Sequence, residues 1–213
     1  MRLARHIFAL AAVVVLGIAP RSAHAAPFDQ AFIDAMVPHH QSALMMAQMA
    51  VKKAPHREVK NMARMMIRDQ QREINQLKSW RKAWYGSAEV PMDMMKGAMK
   101  TDGMNHDSMP HGSMSNMKMS GDKMRMMSGS MMGLPMKMEM NMGKLMRLNG
   151  RAFEKMFLAM MVPHHASAIS MAQEALDTSG RPQIRMISHQ IIDAQAKEIG
   201  AMRDLHRRWY GSL

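Results

Sequence analysis

Two stretches of this chain place a thioether and two imidazoles within little more than one turn of helix. Met36, His39 and His40 stand at i, i+3 and i+4, and Met161, His164 and His165 repeat the arrangement. Residues so spaced share one helical face. Imidazole nitrogen combined with thioether sulfur suits copper, and the sulfur favours the monovalent ion. Met46 and Met171 continue each face two turns on. A plainer role exists for all of them: core histidines are often only hydrogen-bonded, and methionine fills irregular cores. Two adjacent histidines, present twice on mostly apolar faces, favour ligation over that role.

A second group recurs in the same way. Gln70 and Glu73, and again Gln195 and Glu198, fall in the middle of apolar stripes. A buried carboxylate needs a partner, and a histidine of the facing helix is the expected one. Such groups either orient a metal ligand or form a structural network that sets helix register. Both readings stand at this point.

The third group is a methionine-rich stretch at residues 88–148, with 19 of the 33 methionines of the chain. Its runs include Met117 and Met119; Met124, Met126 and Met127; and Met136, Met138, Met140 and Met142. Gly, Ser, Lys, Asp and Asn separate them, so a free backbone could bring two or three thioethers to one soft ion. A linker, a surface that grips partners and a sink for oxidants are the competing roles. A plain linker has no reason to select methionine.

The elements that position these groups come from an ungapped internal repeat at an offset of 125 residues. Phe32, Met36-Val37-Pro38-His39-His40, Ser42-Ala43 and Met46-Ala47-Gln48 return as Phe157, Met161 to His165, Ser167-Ala168 and Met171-Ala172-Gln173. Trp84-Tyr85-Gly86-Ser87 returns as Trp209 to Ser212. Each unit carries two helical stripes, the second being Val59, Met62, Met66, Gln70, Glu73, Leu77 and Trp84 in the first copy. Asp29 is placed as an N-cap, Pro55 as a first helical residue, and Pro38 and Pro163 as helix starts or kinks. The third helix is expected to begin near Leu145. The tandem aromatics and Gly86 read as helix ends, the rings clamping the bundle. One αα-hairpin leaves an apolar stripe bare. Two packed together form an all-α four-helix bundle, with the methionine-rich stretch as a long crossover.

The expected domains are therefore a signal peptide at 1–25, a first hairpin at 26–87, the insert at 88–148 and a second hairpin at 149–213. Arg2, Arg5 and His6 precede the 13-residue apolar run Ile7–Ala19, and Ala23-His24-Ala25 fits a cleavage site. The run is short of the roughly 20 residues that span a bilayer, so a periplasmic protein without a stable membrane anchor is expected. Cleavage lowers the net charge from +12 to +9. The basic residues are spread among acids, with no aromatic interleaving, which argues against nucleic acid. Cysteine is absent. In an oxidising compartment thioethers do the work of thiols without needing deprotonation.

The pattern Phe-x-x-x-Met-x-x-His-His-x-x-Ala-x-x-Met-Ala, with a later Gln-x-x-Glu-Ile, resembles domain-of-unknown-function family 305. That family is ferritin-like and includes periplasmic copper-binding proteins of the CopM type. The resemblance implies a ferritin-like bundle and copper binding at Met36, His39, His40 and Met46, and at Met161, His164, His165 and Met171. The expected cargo is Cu(I), with Ag(I) and Cu(II) as alternatives, and a periplasmic copper exporter or oxidase is the candidate recipient. Sequestration or ferrying in copper resistance or homeostasis is the leading function. A metal-free interaction or chaperone module with a methionine-rich surface is the alternative. An enzyme is not expected, because a ferritin-like di-metal oxidase needs Glu-x-x-His pairs and the chain has none.

Overall fold

The computed structural model describes residues 25–90 and 141–213. Residues 1–24 of the expected signal peptide, and the methionines from Met117 to Met140, lie outside the described residues. Four helices of 29 residues each carry the fold: α1 (Ala25–Lys53), α2 (Arg57–Tyr85), α3 (Gly150–Thr178) and α4 (Pro182–Tyr210). Residues 141–147 add a short helical segment ahead of α3. This is a ferritin-like all-α bundle made of two αα-hairpins.

Each helix forms for a reason visible in its residues. On α2, Val59, Ala63, Met66, Gln70, Glu73, Ile74, Leu77 and Arg81 are buried at three- and four-residue steps, and the rest of the helix is largely polar. α1 and α3 are apolar around more of their circumference because each has two neighbours. Each packs along its hairpin partner, and the hairpins meet through α1 and α3, whereas α2 and α4 scarcely touch. Two apolar clusters result, one toward each end of the bundle. Burying Met36, Met46 or Met161 completely contributes roughly 1.5–3 kcal/mol each to folding, whether or not an ion binds.

Several boundaries differ from the sequence expectation. Asp29 is not an N-cap, because α1 starts four residues earlier. It is instead fully buried, 3.2 Å from the Arg181 guanidinium, and accepts a 2.5 Å bond from the Ser179 hydroxyl. Pro55 precedes α2, whose N-cap is His56. Pro38 and Pro163 lie inside α1 and α3, so no helix N-terminus sits beside the histidines. Each proline removes one rung of the backbone ladder. The chain breaks at residues 148–149 before α3 begins at Gly150. The expected stop after α2 is present: Gly86, at φ 83°, donates its backbone N–H to the Lys82 carbonyl, a conformation that favours glycine.

The aromatic clamps follow the repeat. At one end the Arg181 guanidinium lies 4.0 Å from the Trp84 ring centre while it pairs with Asp29. At the other end, each participant is replaced by its counterpart 125 residues away. His56 stacks on Trp209 at 3.7 Å and 9°, and its Nδ1–H donates to buried Glu154 at 2.5 Å. Glu154 also accepts from the His56 backbone N–H at 3.1 Å and from the Tyr210 hydroxyl at 2.8 Å. Burial, with the Glu154 carboxylate beside it, pushes the Tyr210 hydroxyl up to about 12.

Candidate metal centre

The four histidines of the repeated motif meet at the α1–α3 seam, midway between the two apolar clusters. His39 and His164 lie ring on ring, their centres 3.8 Å apart and tilted by 38°. His40 and His165 flank them, with ring centres 6.1 Å from His39 and 6.2 Å from His164 respectively. His40 and His165 are fully buried and His164 nearly so, while part of His39 reaches the surface.

Hydrogen bonding settles which nitrogen of each ring carries the proton. The Ser42 hydroxyl donates to the His39 carbonyl at 2.7 Å, so toward His164 it can only accept, and His164 Nε2–H donates to it at 2.7 Å. Ser167 does the same in mirror fashion, donating to the His164 carbonyl at 2.7 Å and accepting from His39 Nε2–H at 2.8 Å. The carboxylates of Glu73 and Glu198 accept from His40 and His165 Nε2–H, each at 2.7 Å. A neutral imidazole has one donor and one acceptor nitrogen. In a neutral ring whose Nε2 donates, the lone pair falls on Nδ1, and all four Nδ1 atoms are buried with no hydrogen-bond partner.

The charge state follows for the stacked pair. Burial holds His39 and His164 well below the usual imidazole range, and the neighbouring histidines lower both further. Both rings are therefore neutral at pH 7, the form that ligates a metal.

The methionines fall on either side of the histidine layer. Met36 and Met171 belong to the cluster on one side of the histidine layer, and Met46 and Met161 to the cluster on the other. Each expected set of Met, His, His and Met is thus split, and thioethers of opposite hairpins share a side. Met142 packs against the second of these clusters. Glu73 and Glu198 each pair with a histidine of the facing helix, the partner expected for a buried carboxylate. Gln70 and Gln195 are buried, but neither amide atom of either side chain has a partner, so they do not orient a histidine. Ser42 and Ser167, which set two of the four tautomers, were not singled out from the sequence as site residues, although both sit in the repeat.

Among the described residues, no three His, Asp or Glu side chains converge closely enough to hold an ion on their own. Two or three donors from neutral imidazole and thioether fit a soft monovalent ion, whereas a hard divalent ion asks for more oxygen than the layer offers.

A duplicated αα-hairpin that buries a layer of Nε2-anchored histidines at its seam defines a class of helical protein by fold and site together. The chain belongs to the DUF305 family (domain of unknown function), which matches it over residues 29–206. No curated protein sequence matches the chain. Among solved structures, it is similar to CopM in the Cu(I)-bound form at 29% identity and a TM-score of 0.59, covering 86% of this chain and 98% of that one. CopM in the Ag-bound form gives 29% identity, a TM-score of 0.58 and the same coverage. A DUF305 protein from Streptomyces coelicolor shares the fold at 22% identity and a TM-score of 0.61, over 88% of this chain and 95% of that one. No described helix is long and apolar enough to cross a membrane.

Proposed function

We propose that this protein binds Cu(I), and equally Ag(I), through the Nδ1 atoms of the seam histidines and neighbouring methionine thioethers, and that it sequesters or ferries the ion in the periplasm. The observation that carries the reading is the set of four buried, unpartnered Nδ1 atoms gathered at one seam, each ring held by a serine or glutamate at its Nε2. An unpartnered buried polar atom costs about 1–3 kcal/mol if nothing binds it. The similarity to CopM, solved with Cu(I) and with Ag bound, supports the same direction. The role is binding, not catalysis, in keeping with the lack of Glu-x-x-His pairs. It contributes to copper resistance or homeostasis by holding the ion where free thiols would oxidise.

The test is anaerobic competition against a coloured cuprous chelator, using the wild type and the His39→Gln/His164→Gln variant. The wild type is expected to withdraw Cu(I) from the chelator, and the variant to bind 10- to 100-fold more weakly while its circular dichroism stays helical. A wild-type protein that leaves all the Cu(I) with a weak chelator overturns the proposal and favours a metal-free interaction module.

A further inference from the structure

The two ends of the bundle are related by the repeat, yet they are filled with different chemistry. Among the described residues, the cluster built on Phe153 and Phe157 contains or packs against nine methionines, and its counterpart only two. The difference is not one of shape. Met66 occupies the position that Ile191 fills in the other unit, Met202 corresponds to Leu77, and Met62 to Ile187. Met66 and Ile191 are equally buried, as are Met202 and Leu77. The fold therefore accepts branched aliphatics at these places, and cores gain specificity from them. Methionine at this end adds a sulfur donor that the aliphatics of the other end lack.

The register of the seam shows where those thioethers stand. His39 with Ser167, Ser42 with His164 and the Lys53 ammonium over the Phe153 ring all fit one antiparallel alignment of α1 and α3. That alignment puts Met46 level with Met160, one turn from the Ser42–His164 bond, and both are buried. Met49 and Met156 follow a further turn out and are partly exposed. Thioethers thus run from the histidine layer to the surface on this side. On the other side only Met36 and Met171 do so, among Ile, Val and Leu.

We infer that the methionine-filled end is a second binding region for soft monovalent cations, distinct from the histidine layer and centred on Met46, Met66, Met160 and Met202, and that the layer is loaded from this end. The inference rests on the copper reading. No electron or proton is transferred: the ion exchanges one thioether for the next, and a thioether has no proton to lose.

The experiment is nuclear magnetic resonance of the full chain with ¹³C-labelled methionine methyl groups, assigned by single Met→Leu substitutions and titrated with Ag(I), which does not change oxidation state. The methyl signals of Met66, Met160 and Met202 are expected to shift, and the Met66→Ile/Met202→Leu variant to bind at least one equivalent less while its histidine signals still respond. Histidine signals that move while those three methyls stay fixed overturn this inference and leave the copper reading intact. If neither set moves, the copper reading falls and this inference with it. A variant that fails to fold leaves the wild-type titration decisive.

Discussion

The stacked His39–His164 pair makes the stability of the metal-free protein depend on pH with a defined sign and size. Burial holds both rings well below the usual imidazole range in the folded protein, while in the unfolded chain they titrate near 6.5. The unfolded state therefore takes up protons that the folded state refuses, and stability falls as pH drops below about 6.5. If the folded rings stay neutral down to pH 5, each contributes about 2 kcal/mol to the loss between pH 7 and 5, and the pair about 4 kcal/mol. That is a large share of the roughly 5–15 kcal/mol typical of a domain, and corresponds to a fall in Tm of about 10 °C. Thermal melts in chelator at pH 7, 6 and 5 measure it. In the His39→Gln/His164→Gln variant the amide replaces a titrating ring, so most of this pH dependence is expected to disappear. Equal slopes for wild type and variant would refute the reasoning that burial keeps the stacked pair neutral.

Other consequences follow from the same geometry. Ser42→Ala with Ser167→Ala leaves two Nε2–H donors buried and frees the tautomers, so stability is expected to fall by about 1–3 kcal/mol per site and Cu(I) affinity by 10- to 100-fold, read by urea denaturation and chelator competition. Glu154→Ala removes the acceptor shared by His56 and Tyr210, and should cost about 3–5 kcal/mol of stability with no change in the number of ions bound by the folded protein. In an absorbance titration Tyr210 should ionise only at about pH 12, since burial and the Glu154 carboxylate raise it there, and burial raises Tyr85 in the same direction. Two tyrosines that both ionise near pH 10 would contradict that packing.

Most of the architecture was legible because a repeat constrains more than its parts do. The stripe of Val59, Met66, Gln70, Glu73 and Leu77 had to face a partner, and its second copy supplied one. The pairing of Glu73 with His40 followed from the cost of burying a carboxylate alone. What escaped was set by contacts between hairpins, which spacing along one helix does not encode. Asp29 has the chemistry of a cap, but its role depends on Arg181 and Ser179, 150 or more residues away. Met36 and Met46 lie on one helical stripe, yet they belong to different apolar clusters, one on each side of the histidine layer. Ser42 looked like an ordinary helix serine because its importance comes from His164. Pro38 and Pro163 sit in helix interiors because packing against two neighbours outweighs one missing backbone bond.

The serine–histidine bonds run only from one hairpin to the other, so neither half owns a finished copy of the layer. His39 takes its acceptor from α3, and His164 takes its acceptor from α1. A chain cut between residues 90 and 141 would give two fragments, each with imidazoles whose protons nothing directs. Their reassociation would restore the donors, and an ion that binds only the joined form would pull them together in proportion to its concentration. Such a protein, severed between its two hairpins, would act as a metal-dependent dimeriser.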